Sequence, residues 1–141
     1  MKPLLILVLA AVALGAGCDS STSPSDFTSA VFTLEDASLP PSAGVTDLTP
    51  STITFAPDGT LSVASCNDCG GRYAWDENLL RVSDLGCTEM ACGGRLDLGP
   101  WLYADRIVVS NTSDADEDEV TLVAEREGLL GTFLFRVSDL D

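Results

Sequence analysis

An alternation of apolar and polar side chains constrains the fold of this chain more than any other feature. From Ala30 onward, apolar residues recur at every second position, as at Ile53 and Phe55. Alternation of this kind, in segments rich in β-branched and aromatic residues, is typical of strands with one buried face. The pattern predicts about eight strands, at residues 30–35, 51–56, 60–66, 71–75, 79–83, 105–110, 119–126 and 131–137.

Short turn sequences lie between most of these strands. A Pro-Asp-Gly sequence at 57–59 separates the second strand from the third, and a Glu-Gly pair at 127–128 precedes the last. Because tight connections join antiparallel neighbours, we expect an antiparallel sheet. The segment Leu96–Leu102 is apolar without alternation, and the Gly-Pro pair at 99–100 favours one helical turn, since proline is tolerated at a first helical position. We expect a short helix there that plugs an otherwise β core.

The first 17 residues have the features of an export signal. Lys2 supplies a positive start, Leu4–Leu14 supplies an apolar core, and small residues at 15–17 supply a cleavage site. The apolar core is too short to span a bilayer, which takes about 20 apolar residues. Because Cys18 follows the small residues directly, the segment resembles a bacterial lipoprotein signal, in which that cysteine is lipidated and becomes the mature N-terminus.

The predicted organisation follows from this signal. We expect a signal peptide at 1–17, a lipid on Cys18, a flexible tether at 18–29 and one β domain at 30–141. The tether is predicted because its residues are mostly small and polar. A protein of this kind is anchored to a bacterial membrane, on the periplasmic or extracellular face. Ordinary secretion, with Cys18 left as a free thiol, is the alternative.

The charge balance excludes several partners. The chain has 22 Asp and Glu, 7 Lys and Arg and no His, for a formal net charge of −15 at pH 7. Lys2 is the only lysine, so removal of the predicted signal takes away one positive charge and leaves −16. Such a chain has no basic patch for nucleic acid or for anionic headgroups, so membrane contact would come from the lipid anchor. Once the signal is removed the chain has neither histidine nor lysine, so catalysis would depend on carboxylates, Ser, Tyr or Arg, and no carboxylate pair stands out. We expect no enzymatic activity, and no cofactor.

Four further cysteines form a Cys-x2-Cys pair and a Cys-x4-Cys pair: Cys66, Cys69, Cys87 and Cys92. This spacing is compatible with a zinc site of four thiolates. Cys66 with Cys69 is compatible with a redox pair, but the acidic, β-type surroundings lack the helix N-terminus or cation that activates such a thiol. Export to an oxidising compartment favours structural disulfides, and four cysteines permit three pairings. We expect disulfides and no bound metal.

Several short motifs follow one another in a fixed order between Thr52 and Cys92. They are Phe55, Asp58-Gly59, Cys66-Asn67, Gly71-Arg72-Tyr73, Leu80, Val82 and Thr88-Glu89-Met90-Ala91-Cys92. In order and spacing they resemble the META domain family, also called HslJ-like. That family has an Asp-Gly type turn between two strands, Cys-Asn after the second strand, a Gly-x-Tyr strand, a further strand and then Thr-x-Met-x-Cys.

The resemblance implies a small barrel-like domain with a helical insertion, common in secreted or lipid-anchored bacterial proteins. It implies no enzymatic activity, and it associates the chain loosely with envelope stress and antibiotic tolerance, or with secretion and motility. The family pattern also implies a Cys66–Cys92 disulfide, inside which a Cys69–Cys87 bridge would nest. The expected fold is therefore mainly β: a small antiparallel barrel-like sheet of about eight strands with one short helical insertion, held by disulfides.

Two further groups of residues are candidate binding sites. Asp114, Asp116 and Asp118, with Glu125 beyond them, are spaced in a way that resembles a calcium loop, although a solvated hairpin loop is the simpler interpretation. Four amphipathic aromatic residues are compatible with a pocket mouth or with core positions: Tyr73, Trp75, Trp101 and Tyr103. A cleft between the helical insertion and the strands is the default position for a binding site.

These observations predict a non-enzymatic, lipid-anchored envelope protein that acts by binding or scaffolding at a membrane surface, with a partner in the envelope. Two alternatives stay open. One is a metal-binding module that uses the four cysteines for zinc or the acidic run for calcium. The other is a small hydrolase that uses Asp or Glu carboxylates.

Overall fold

Eight antiparallel strands close into a barrel in the computed structural model, which describes residues 27–111 and 118–140. The strands are β1 (Ala30–Ser38), β2 (Thr52–Phe55), β3 (Thr60–Ala64), β4 (Cys69–Asp76), β5 (Leu79–Cys87), β6 (Arg106–Asn111), β7 (Glu119–Arg126) and β8 (Leu129–Asp139). Each strand pairs with the next, and β1 pairs with β8 to close the barrel. The described residues also contain a 3₁₀ turn at Pro41–Ala43 and a short helix, α1, at Gly99–Leu102.

The predicted mainly β fold is confirmed, and its strands and short helix lie where the sequence indicated. The largest difference is in β5, which continues to Cys87 instead of ending at residue 83. Its last residues are held in the sheet because Cys87 lies opposite Cys69 of β4. Similarly, β8 begins at Leu129 because the turn before it is tight, with Leu129 paired to Arg126 of β7.

Aromatic rings fill the interior of the barrel. Phe32, Phe55, Phe133 and Phe135 are completely buried, and the rings of Phe32 and Phe55 meet edge to face at 4.8 Å. An eight-stranded barrel has an interior just wide enough to be filled by side chains. The apolar positions of the alternating sequence therefore point inward into one core, and the polar positions point outward.

Phe27 corrects the predicted boundary between tether and domain. The polar character of its neighbours assigned it to the tether at 18–29, but its side chain is only 5% exposed and its ring lies 5.2 Å from that of Phe32. Burial of a phenyl ring contributes about 1.5–3 kcal/mol, which favours packing over a free segment. The predicted signal peptide, Cys18 and the tether up to residue 26 lie outside the described residues. No helix within the described residues is long and apolar enough to cross a membrane.

The two ends of the barrel carry different connections. Ala30, where β1 begins, pairs with Asp139 near the end of β8, and this tether end also holds the β2–β3 and β4–β5 connections, the end of β6 and the beginning of β7. Ser38 pairs with Thr132 at the opposite end, the distal end. The distal end holds the β1–β2, β3–β4, β5–β6 and β7–β8 connections. The long β5–β6 connection therefore lies as far as the barrel allows from the point where the chain enters it.

Residues 88–105, called the insertion, connect β5 to β6 and cover the distal end. Four of its apolar side chains are buried in the core: Leu96, Leu98, Trp101 and Leu102. The Trp101 ring lies 5.7 Å from that of Phe133, and a Cβ atom at Gly131 would be 2.9 Å from Trp101, so this approach requires glycine. The expected plug is confirmed: α1 seals the barrel with the residues that break the alternating pattern.

Candidate functional site

Two disulfides fasten the insertion to the barrel. Cys66 is bonded to Cys92 with 5.9 Å between their Cα atoms, and Cys69 is bonded to Cys87 with 4.1 Å. These are the two pairs that the resemblance implied. The alternatives of a Cys66–Cys69 redox pair and of a four-thiolate zinc site are wrong, because each sulfur is already bonded to a different partner. A Cβ atom at Gly99 would lie 3.0 Å from the Cys69 sulfur, so α1 begins directly against the inner bridge.

Asn67, in the β3–β4 connection, fixes the first part of the insertion through side-chain hydrogen bonds. Its side chain is 5% exposed, and its Oδ1 accepts hydrogen bonds from the Met90 N–H at 2.6 Å and the Thr88 hydroxyl at 3.2 Å. Its amide nitrogen donates to Asp97 Oδ2 at 2.7 Å and to the Met90 carbonyl at 3.3 Å. A buried amide with all these partners fixes the conformation of the loop around it. The Cys-Asn motif singled out Asn67, but its partners are 21 to 30 residues away in sequence and were not predictable from it.

Ser65 holds the second part of the insertion. Its hydroxyl lies 2.9 Å from that of Ser51, accepts the Leu98 N–H at 3.1 Å and reaches the Leu96 carbonyl at 3.2 Å. This role of the two serines was not predictable from the sequence, because a small polar residue beside a strand end is usually exposed. Here they satisfy backbone groups that the plug would otherwise bury without partners.

An open cleft of about 540 Å³ lies at the distal end. We call it the distal cleft. One side is the insertion, from Met90 to Trp101, and the other is the β7–β8 turn, from Arg126 to Leu129; residues 42–45 form the third side. The cleft is therefore between the insertion and the strands, where a binding site was expected.

Each of the two main walls of the cleft contributes one arginine and one exposed apolar side chain. The insertion supplies Arg95 and Met90, and Met90 is 58% exposed; the β7–β8 turn supplies Arg126 and Leu129, and Leu129 is 42% exposed. Trp101 lines the cleft between them. Exposed apolar side chains that lie together around a cleft are typical of a surface that contacts a ligand or a partner.

Neither cleft arginine forms an ion pair with any residue that the structure describes. Arg95 donates from Nε to the Cys92 carbonyl at 3.1 Å, and no side-chain hydrogen bond of Arg126 is seen within the described ranges. In contrast, Arg81 pairs with Asp76 at 2.8 Å and Arg136 with Glu35 at 3.0 Å on the outer surface. The cleft therefore presents two guanidinium groups with unused hydrogen-bond donors.

Two carboxylates also line the distal cleft. Asp97 is committed to the fold, because it accepts from Asn67 and, through Oδ1, from the Gly99 N–H at 3.2 Å. Glu127 is exposed at the β7–β8 turn. The lining therefore has mixed charge. Arg95 and Arg126 have no ion pair among the described residues, Asp97 is hydrogen-bonded within the fold, and Glu127 is exposed.

The four aromatic candidates do not come together. Tyr73 and Trp75 pack against Phe55 inside the barrel, at 5.0 Å and 5.4 Å between ring centroids. Trp101 lines the distal cleft, whereas Tyr103 is exposed beside it and donates its hydroxyl to the carbonyl of a β5 residue. Three of the four are therefore core or rim residues, and only Trp101 belongs to the cleft.

Among the described residues, the two groups with shifted pKa values, Tyr73 and Asp58, lie at the tether end. Tyr73 donates its hydroxyl to the Ala56 carbonyl at 2.7 Å, and burial, with a smaller effect of the Asp58 charge, raises its pKa above the ordinary 10.0. Asp58 accepts the Thr60 hydroxyl at 2.7 Å, and this bond lowers the pKa of the Asp58 carboxyl. Both shifts come from the packing of the β2–β3 turn.

Glu125 cannot belong to the calcium loop that the spacing of the acidic run suggested. Asp114 and Asp116 lie outside the described residues, but Asp118 and Glu125 are described, and β7 runs between them from Glu119 to Arg126. At about 3.3 Å per strand residue, Glu125 is roughly 20 Å from Asp118 and cannot share an ion with it. No cluster of three or more His, Cys, Asp or Glu suited to a metal occurs among residues 27–111 and 118–140.

The fold and the site define a class of protein: a closed eight-stranded barrel whose distal end is sealed by a disulfide-linked insertion. The META domain model matches residues 25–131, and the chain belongs to the META domain family. The match includes Phe27, in agreement with the burial of that ring. An NMR structure of a protein from Burkholderia xenovorans is similar, with a TM-score of 0.51 and 20% identity over 81% of this chain and 85% of that one. At this identity the similarity concerns the fold alone. No curated protein matches the chain.

Proposed function

We propose that this protein is a non-enzymatic binding module held at the bacterial envelope by a lipid on Cys18, with the distal cleft as its binding site. One observation carries the proposal: the cleft lies at the end of the barrel opposite the tether end. A domain anchored through its N-terminus would turn its tether end to the membrane and its cleft to the aqueous compartment.

The dimensions of the barrel support this orientation. β1 has 9 residues, and with the usual rise per residue and strand tilt it spans roughly 20–25 Å along the barrel axis. Residues 18–26 of the tether would add roughly 30 Å at full extension. The distal cleft would therefore stand clear of lipid headgroups and within reach of other envelope proteins.

The chemistry of the cleft supports binding without catalysis. General acid or base catalysis uses a titratable group held free near a reacting atom, and histidine, which most often supplies it, is absent from the chain. Both Asp97 oxygens accept hydrogen bonds from the fold itself. Arginines and exposed apolar groups are the side chains that protein contacts favour. Because the META family is loosely associated with envelope stress and antibiotic tolerance, we propose that the binding serves one of these processes.

Photocrosslinking in intact cells tests the position of the binding site. A photoreactive amino acid is placed at Leu129 in the distal cleft and, as the matched control, at Ala74, which is exposed on the outer wall of β4. We expect a discrete crosslinked product from position 129 and none of the same mass from position 74. Equal patterns from both positions, or no product from 129, contradict the proposal.

Membrane fractionation tests the anchor separately. The wild-type protein is expected in the membrane fraction with a mass increased by the acyl groups, and Cys18→Ser is expected in the soluble fraction without that increase. A wild-type protein that is soluble and unmodified contradicts the anchor.

A further inference from the structure

We infer that the distal cleft binds an acidic segment of a partner protein, in which Asp or Glu side chains flank an apolar side chain. This inference depends on the proposed function, since it names the chemistry of the ligand at the same site. It follows from the way that charge and apolar surface are distributed over the two walls of the cleft.

Positive groups are scarce in this chain. Lys and Arg total 7, Lys2 is the only lysine, and six arginines therefore face 22 carboxylates in this chain. Two of the six line one cleft, and neither forms an ion pair among the described residues, although potential partners are abundant. Their unused donors match carboxylate oxygens, which a guanidinium group binds in a bidentate manner.

The cleft also has an apolar component. Met90 of the insertion and Leu129 of the β7–β8 turn line the cleft with 58% and 42% of their surfaces exposed, and Trp101 is a third apolar lining residue. A small free anion would gain nothing from these groups. A peptide segment gains from both, because an apolar side chain displaces water from the middle of the cleft while its acidic neighbours meet the arginines on either wall.

The remaining charge of the molecule does not prevent this contact. The net charge of −15 repels an acidic partner at long range, but at physiological ionic strength the Debye length is about 8 Å, so only charges near the cleft affect the bound segment strongly. Among these, Asp97 and Glu127 both line the cleft and oppose an acidic ligand; Asp97 is fixed by its hydrogen bond from Asn67, whereas Glu127 is exposed at the β7–β8 turn. Removal of the Glu127 charge should therefore increase the affinity for an acidic segment, whereas removal of the arginine charges should decrease it.

The binding experiment uses the full mature protein in detergent and three pools of dye-labelled hexapeptides with acetylated and amidated ends. One pool has Asp or Glu on both sides of two apolar residues; the second has Asn or Gln in place of the acids; the third keeps the acids and has Ala in place of the apolar residues. We expect the first pool to bind at least about fivefold more tightly by fluorescence anisotropy than either of the others, as expected for about 1 kcal/mol. Its affinity should fall with added salt.

Variants locate the binding in the cleft. Arg95→Gln with Arg126→Gln should weaken binding of the first pool by about tenfold, and Glu127→Gln should strengthen it by about two- to fivefold. Arg106→Gln is the matched control, because Arg106 is also exposed and has no ion pair among the described residues, but does not line the cleft. Thermal unfolding of each variant verifies that the exposed substitutions leave the fold intact.

Equal binding of the first two pools, or equal loss in the double variant and in Arg106→Gln, overturns the inference. So does binding that follows the same arginines on anionic phospholipid vesicles but not on the peptides. These results are distinguishable from failure of the proposed function. A crosslinked product from position 129 together with equal binding of the pools rejects only the acidic ligand, whereas absence of that product rejects the site itself.

Discussion

The two disulfides should stabilise the fold less than additively, because one loop lies inside the other. The Cys66–Cys92 bridge joins residues 26 apart in sequence and encloses the Cys69–Cys87 bridge, which joins residues 18 apart. In the chain-entropy model, either bridge alone would restrict the unfolded chain by about 3.6 kcal/mol for the outer loop or about 3.2 kcal/mol for the inner. With the inner bridge in place, however, the outer bridge closes a ring of only about 10 residues and contributes about 2.7 kcal/mol.

These values predict a definite departure from additivity. Loss of the outer bridge alone should lower the free energy of unfolding by about 2.7 kcal/mol, and loss of the inner bridge alone by about 2.4 kcal/mol. Loss of both should lower it by about 5.9 kcal/mol, which exceeds the two single losses together by about 0.8 kcal/mol. The physical reason is that each bridge shortens the loop that the other has to close.

Urea unfolding of three variants measures these quantities: Cys66→Ala with Cys92→Ala, Cys69→Ala with Cys87→Ala, and all four together. Wild-type protein unfolded with its disulfides reduced is the control for the lost sulfur atoms, because reduction opens both loops without removing side-chain volume. A combined loss equal to or smaller than the sum of the two separate losses would refute the nested-loop reasoning.

Three further predictions follow from the packing. Gly131→Ala should lower stability by about 1–3 kcal/mol and change tryptophan fluorescence, because its Cβ would lie 2.9 Å from the plug indole; Gly70→Ala, whose Cβ meets nothing within 4 Å, is the control in urea unfolding. Asn67→Ala should cost about 1–3 kcal/mol in the same assay, since its partners in the insertion lose their hydrogen bonds, and an unchanged midpoint would rule this out. Burial raises the pKa of Tyr73 above 10.0, so the folded state holds that proton more tightly than the unfolded chain; stability should fall as pH rises through 10 toward the folded pKa. Tyr73→Phe should abolish this decline in alkaline thermal melts, whereas Tyr103→Phe should leave it in place.

The strands, the turns and the plug were predictable from local sequence patterns. Alternation fixes which side chains share a face, because successive residues of a strand point to opposite sides, so Phe55 and Phe133 were assignable to buried faces before any contact was known. The Gly-Pro pair at 99–100 likewise marked α1, because proline is compatible with the first turn of a helix. These preferences depend on neighbouring residues in the chain and not on tertiary contacts, so they can be recognised without knowledge of the fold.

The contacts between distant segments were decided by the tertiary structure. Phe27 looked like part of a polar tether, and only closure of the barrel creates the apolar site that its ring fills. Asn67 was visible as a motif, but its hydrogen bonds depend on where the insertion folds back, 21 to 30 residues later. Local sequence carries no record of such approaches, because they result from how the whole core is packed.

The distal cleft shows the same division most clearly. Arg95 and Arg126 are separated by two strands in the chain, and each is an ordinary exposed residue in its own segment. They line one cleft because the up-and-down topology puts the β5–β6 and β7–β8 connections at the same end of the barrel, opposite the N-terminus. Residue types and local periodicity therefore determined that this chain forms a disulfide-linked β domain, while closure of the sheet decided which charges meet and which way they face.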